Sequence, residues 1–278
     1  MNRAVAADSQ KRSQFAAIAL IAAGAVGLFL LEKRRPLRRK TQPEPERTLR
    51  NLMLGALSMA VVGALENPIV EPLAASAASR RKGLVQKLPL SRAAQDFVAV
   101  IAMDYTIYLW HVATHRVPFL WRFHLVHHVD LDLDTTTALR FHFAEMALSI
   151  PYRAAQIIVI GTSPRALRWW QRFFFGCVLF HHSNLKLPRR LEHKIEWAIA
   201  TPRMHGIHHS TVKQQTNSNW SSGLSIWDRL HGTLALNIPQ SRIWIGVPAY
   251  RRRADIRFWP SISVPFVQQR DAWQPASA

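Results

Sequence analysis

The sequence predicts an all-α protein: an integral-membrane helical bundle with a cytosolic cap carrying a histidine-rich di-metal site. Three observations lead there. Long apolar runs recur between residues 15 and 182. Thirty-six Lys and Arg against seventeen Asp and Glu give a formal net charge of +19. Thirteen histidines stand mostly in tight clusters.

A strongly basic chain seeks polyanions, either nucleic acid or an anionic lipid surface. Ten Trp and thirteen Phe beside the apolar runs favour lipid. No zinc-finger or RNP motif is present, which argues against nucleic acid. The basic stretches 33–40 and 80–82 need only anionic lipid headgroups as partners. The single cysteine, Cys177, lies in "FFFGCVLF" and reads as a buried apolar residue; a disulfide within the chain is impossible.

Residues 15–31, "FAAIALIAAGAVGLFLL", form an uncharged run near the minimum spanning length. Arg3, Lys11 and Arg12 precede it, as in a signal peptide. The adjoining "EKRRPLRRK" resembles a stop-transfer flank instead, so the run reads as an uncleaved helix with residues 33–50 cytoplasmic. "KTQPEPER" is a Pro-rich charged linker. Residues 52–64, "LMLGALSMAVVGA", are apolar but short, and Glu66, Pro68 and Glu71 interrupt the next stretch of chain. A broken span, a re-entrant segment or an interfacial helix all fit. The cationic loop 80–92 favours a re-entrant or hairpin form.

Residues 94–111 read as an apolar helix with Gln95, Asp96 and Asp104 on it. Residues 143–160 form a second, bearing Glu145, Arg153 and Gln156. Residues 165–182 form a third, opened by the amphipathic "RALRWWQR". An ionisable group at membrane depth is costly, so these helices should pack around something polar. Trp110, Trp121, Trp169 and Trp170 suit an interfacial belt. From about 184 the chain is too polar to span, which suits a cap on the cytoplasmic side.

The histidines supply the polar object. "HVATH" sets His111 and His115 at i, i+4. "HLVHH" sets His124, His127 and His128 at i, i+3, i+4, and "HGIHH" repeats that spacing at His205, His208 and His209. "FHHSN" adds His181 and His182. Residues three and four apart share a helix face, so each cluster can aim two or three imidazoles at one point. Neutral imidazole ligates Fe, Zn, Cu and Ni. One zinc takes at most four protein ligands, so eight or nine histidines suggest two ions with open positions. The zinc-protease HExxH is absent. A site facing a membrane has lipid as its natural substrate. Lipid C–H bonds call for a redox metal such as iron acting with O2.

Taken together, "DYTIYLWHVATH", "LWRFHLVHHVD", "ALRFHFAE", "LFHHSNLKLP", "TPRMHGIHHS" and "NSNWSSGLSIWDRLHGT" resemble the fatty acid hydroxylase/sterol desaturase superfamily of membrane di-iron enzymes. The likeness runs from about Asp104 to Thr233. It implies two iron ions held by His111, His115, His124, His127, His128, His182, His205, His208 and His209. It implies hydroxylation or desaturation of a sterol or fatty-acyl lipid with O2. No cytochrome or ferredoxin domain is visible, so electrons must come from an external donor of that type. A non-catalytic metal-binding or metal-handling membrane protein is the alternative.

Around these ligands, Asp104, His142, Glu145, His181 and Asp228 are candidates to orient a metal-bound imidazole. Asn184 and Asn219 read as caps. His231 stands where the superfamily usually has Phe; an extra ligand, a donor orienting one or a surface residue all fit, and surface is the preferred reading. The chain divides into an N-terminal tail, membrane helix and basic linker (1–48), a membrane-embedded di-iron hydroxylase domain (49–240) and a C-terminal tail (241–278). The Ala- and Arg-rich composition points to a bacterial inner membrane, with the metal site on the cytoplasmic side.

Overall fold

The computed structural model describes residues 2–275; the side chains of residues 1–15, 17 and 18 lie outside that description. The described chain is helical. Its only β pairings are isolated bridges, Pro36 with Leu185, Ile199 with Leu224 and Ser210 with Ile245.

Helix α1, Asn2–Arg34, contains the apolar run 15–31. Next comes one long rod, α2 (Glu44–Val61), a π-turn (Val62–Glu66) and α3 (Asn67–Ser79). This is the segment whose character the sequence leaves open. It is 36 residues long and apolar enough to cross a membrane. At 1.5 Å per residue it reaches about 54 Å, against about 30 Å of hydrocarbon. Pro68 and Pro72 lack the N–H that a continuous α-ladder uses, and the π-turn just before them takes up the mismatch. Leu52, Met53, Leu57, Met59, Leu65 and Ile69 point outward from the rod, as a lipid-facing surface requires.

Two further helices meet the same length and composition test: α4, Arg92–Arg116, and α6, Phe143–Ile160. Ser91 caps α4 by accepting from the Ala94 N–H. Between them, α5 (Pro118–His128) begins where Pro118 forbids α4 to continue. Helix α6 ends on Gly161, whose φ of +82° closes the last turn. Helix α7, Pro164–His182, starts with Pro164 after a Ser163 cap. Val70, Ala74, Ala99, Met103, Ile107, Ile157, Leu167 and Trp170 knit α3, α4, α6 and α7 into one core. At the end of the bundle away from the histidines, Gly83 abuts Gly161 so closely that a Cβ would lie 2.3 Å from the Gly161 Cα.

The opposite end is polar and densely tied. Helices α8 (Arg189–Ile195) and α9 (Pro202–His208) cover it. Glu32, fully buried, accepts from the Thr135 and Asn184 N–H groups at 3.0 and 2.7 Å. Asn184 and Asn219 prove to be loop pins rather than helix caps. Asn184 exchanges hydrogen bonds with the Arg38 backbone, and Asn219 ties Met204 to Ala235. Val247, Ala249, Tyr250 and Ile256 pack on Leu125 and Val129.

Beneath α5, Arg47 is buried against Asp130 and Asp134, with Asp130 Oδ2 at 2.9 Å. Burial alone would raise the Asp130 carboxyl. The guanidinium groups of Arg47, Arg140 and Arg50 override it and hold that carboxyl well below the usual carboxylate range.

Candidate metal centre

Four helices deliver nine imidazoles into two nests. His111 and His115 from α4, His124 and His128 from α5 and His208 from α9 form the first. His127 from α5, His182 at the end of α7, His205 from α9 and His209 just beyond it form the second. Within each nest the candidate ligand atoms lie within 4.8 Å of one another. The i, i+4 spacing in α4 and α5 puts each pair on one face. His127, a single step from His128, turns toward the other nest. The nests touch where the His128 and His209 rings stack, 4.2 Å between centroids.

The second nitrogen of most rings is already committed. Nδ1 of His111 donates to the Trp220 carbonyl at 2.7 Å, and that of His127 to the Arg140 carbonyl at 3.2 Å. His182 donates likewise to Val178 at 2.7 Å, and His208 to Ser218 at 2.8 Å. His124 Nδ1 meets the Glu145 carboxylate at 2.8 Å. A carbonyl can only accept, so these Nδ1 atoms carry the proton and Nε2 keeps its lone pair.

Those lone pairs aim inward. Nε2 of His115, His124, His128 and His208 is buried without a hydrogen-bond partner. In the second nest Nε2 of His182 lies 3.0 Å from that of His127 and 2.9 Å from that of His205. His127 and His182 both carry their proton on Nδ1, so their facing Nε2 lone pairs repel unless a cation lies between them. Spacings near 3 Å are those of neighbouring ligands about 2.1 Å from one ion. Burial, then the neighbouring imidazoles, keep His127, His128, His205 and His209 neutral well below the ordinary histidine range, and burial brings His208 down to about 3. Neutral imidazole is the ligating form. The donor set fits two metal ions, one per nest.

Of the surrounding candidates, Glu145 touches an imidazole directly. Asp228 acts one link away: its carboxylate accepts from the Trp220 and Ser221 N–H groups, both at 2.9 Å, and so fixes the carbonyl that holds His111. Asp104 reaches no imidazole. It accepts from the Leu224 N–H and Trp227 Nε1 at 3.0 and 2.7 Å, tying α4 to the covering loop. Gly223 is needed there, since a Cβ would sit 2.0 Å from Asp104 Oδ1. His142 caps α6 through the Ala144 N–H and donates from Nε2 to the Ile262 carbonyl, away from both nests. His181 lies outside the nests, beside Ser222 and with its ring 4.0 Å from that of His205. His231 stacks on Tyr108 and meets the Tyr105 hydroxyl at 3.2 Å, and belongs to neither nest.

Sequence reasoning missed the braces behind the nests. Arg140, fully buried, donates to the Val126 carbonyl, Asn51 and Ser261, while its own carbonyl receives His127. The alternating Asp130, Asp132 and Asp134 of "DLDLD" were the available signal.

A cavity of about 630 Å³ runs into the bundle from the nests. His111, His124, His127, His182 and His205 stand at its end, and Ile107, Trp110, Phe141, Met146, Phe174 and Phe175 line its apolar walls.

Fold and site define a helical membrane protein that can hold two metal ions on histidine at the foot of an apolar cavity. The fatty acid hydroxylase family profile matches residues 97–233. The very-long-chain aldehyde decarbonylase GL1-9 of Oryza sativa subsp. indica is 30% identical over 228 residues, 79% of this chain and 86% of that protein. The chain belongs to the fatty acid hydroxylase family. It is also 28% identical to the ornithine lipid hydroxylase OlsE of Rhizobium tropici and 28% identical to alkylglycerol monooxygenase of Xenopus tropicalis. Those matches cover 50% and 49% of this chain, which spans only 41% and 30% of the two proteins' lengths. No solved structure gives a significant match.

Proposed function

We propose that the chain is an O2-dependent di-iron hydroxylase, or desaturase, acting on C–H bonds of a membrane lipid such as a sterol or fatty-acyl chain. One observation carries this reading: two nests of inward lone pairs close the end of an apolar cavity. The nine histidines would hold one iron in each nest. Iron so bound supplies the redox chemistry that activates O2 toward a C–H bond, which a Lewis-acid zinc does not. The family relatives bear the names of lipid hydroxylases and monooxygenases, which supports lipid as the substrate class.

The chain's own residues have three tasks. The carbonyls of Trp220, Arg140, Val178 and Ser218, with Glu145, fix the rings before metal arrives. The apolar walls keep water from a bound lipid chain and align it on the nests. Asp228 and Arg140 hold the backbone groups that orient His111 and His127. On this reading residues 49–240 are the hydroxylase domain, with 1–48 and 241–278 flanking it. Electrons come from an external cytochrome- or ferredoxin-type donor. The basic stretches meet anionic headgroups on the cytoplasmic side of a bacterial inner membrane.

Metal analysis of the purified chain, with O2- and reductant-dependent turnover of lipid, tests the reading. Two irons per chain and oxidised lipid are expected. One zinc and no oxygen consumption overturn it.

A further inference from the structure

The cavity's far wall carries charge that the chemistry of the nests does not use. Glu66 and Arg153 line it, 6% and 8% exposed, and their side chains lie 3.6 Å apart. Arg153 donates to Gln156 Oε1 at 2.7 Å and lies over the Trp170 ring, while its Nε is buried without a hydrogen-bond partner. Glu71, which is exposed, and the half-buried Arg168 and Arg172 also line the cavity, and none of the three has a hydrogen bond or ion pair among the described residues. Arg153 stands eight residues along α6 from Glu145, a rise of about 12 Å. Arg172 stands ten residues along α7 from His182, about 15 Å. Arg153 therefore lies midway along α6, a helix long and apolar enough to span, where an ionisable group is costly and marks a binding or transport function.

The charges are sorted by wall. Both carboxylates, Glu66 and Glu71, belong to the α2–α3 rod, and the π-turn of that rod ends on Glu66. All three guanidinium groups belong to α6 and α7. A bound ligand that satisfies both walls carries an anion toward Arg153, Arg168 and Arg172 and a cation toward Glu66 and Glu71. Its apolar part then fills the aromatic stretch between this layer and the nests.

We propose that this layer is a headgroup site, and that the lipid taken up is a single-chain or chain-extending amphiphile with a zwitterionic headgroup, its tail directed at the histidines. The proposal deepens the lipid-oxygenase reading but concerns binding alone, so it stands or falls without metal or turnover. A sterol, with one hydroxyl, leaves Glu71, Arg168 and Arg172 without a partner. Arginine suits the anionic part because its planar fork pairs with phosphate or carboxylate.

The test uses the full chain in maltoside micelles and a phosphocholine amphiphile with a photoreactive group at the chain end. Labelling is mapped by mass spectrometry. Competitors share one alkyl chain and differ in headgroup: phosphocholine, phosphate, trimethylammonium or a neutral sugar. The label is expected on peptides covering residues 105–115 and 173–182. Phosphocholine should compete at least tenfold better than the neutral sugar. Arg172→Gln, at a half-buried position with no hydrogen bond or ion pair to lose, should lower competition by phosphocholine and by phosphate. Glu71→Gln should lower competition by phosphocholine and trimethylammonium but not by phosphate. Arg153→Gln should remove the headgroup preference. Equal competition by all four headgroups overturns the proposal, as does a preference unchanged in both Arg172→Gln and Glu71→Gln. A headgroup preference in a parent chain that, supplied with iron, reductant and O2, oxidises no lipid would instead sink the oxygenase reading and leave this one standing.

Discussion

The Glu145 carboxylate holds Nδ1 of His124 at 2.8 Å, and both groups are buried. This contact fixes one ring of the first nest from the first turn of α6. Partners of this kind contribute about 10–100-fold to metal affinity. Glu145→Leu is expected to weaken metal retention within that range against a competing chelator. Glu145→Gln keeps an acceptor oxygen and should lose less. No loss in either variant would mean that the carboxylate only fills space, and equal loss in both would mean that its charge, not merely an acceptor oxygen, holds the ring.

The two nests share no ligand, so they should empty separately. His128→Ala removes one ligand from the first and His205→Ala one from the second. Each variant should retain about half the metal of the parent chain, and neither should oxidise lipid. Circular dichroism and membrane insertion should be unchanged, because no helix depends on either ring. Turnover retained in either variant would count against the ligand set.

Asp228 reaches the first nest through backbone. Its oxygens accept from Trp220 N–H, Ser221 N–H and the Thr233 hydroxyl, and the Trp220 carbonyl accepts from His111. Asp228→Asn turns an NH2 group toward one of those N–H donors. Metal affinity should drop roughly tenfold, within the range for such indirect supports. A purely structural role would lower the melting temperature while leaving metal affinity per folded molecule intact.

Much of this was readable before any coordinates. Apolar run length marked α4 and α6 because a spanning helix must be long and nearly uncharged; α7 is a helix as read, but Arg165, Arg168 and Arg172 keep it outside the composition of a span. The spacings of His111 with His115, and of His124 with His128, marked shared faces. Local periodicity could not carry Asp104. Seven residues put it on the His111 face, but also about 10 Å further along the axis, beyond a carboxylate's reach. His142 was misjudged because the chain turns just before α6 and spends that ring on the cap. The rod 44–79 was ambiguous because Pro68, Pro72 and two glutamates each argue against a span when read alone. Arg47 with Asp130, and Glu32 with Thr135 and Asn184, were invisible for another reason. Their partners lie 83 to 152 residues apart, and a charge far from its partner in sequence looks like surface.

Arg47 and Asp130 set the last expectation. Arg47 is 2% exposed and Asp130 0%, and Asn51 and Thr137 complete the surrounding hydrogen bonds. Removing one partner leaves the other charge buried and uncompensated, which costs about 3–5 kcal/mol. Asp130→Asn should therefore lower the melting temperature sharply, and Arg47→Met should do the same by orphaning two carboxylates. The pH dependence has a definite sign. The folded Asp130 carboxyl titrates below its unfolded counterpart, near 3.9. Its contribution is present above that unfolded value and is lost as pH falls toward the folded one. Metal-free chain compared with metal-free Asp130→Asn isolates this group from histidine release. The gap between their melting temperatures should narrow as pH drops below about 4. A gap independent of pH would mean that the carboxylate charge is not what braces the loop.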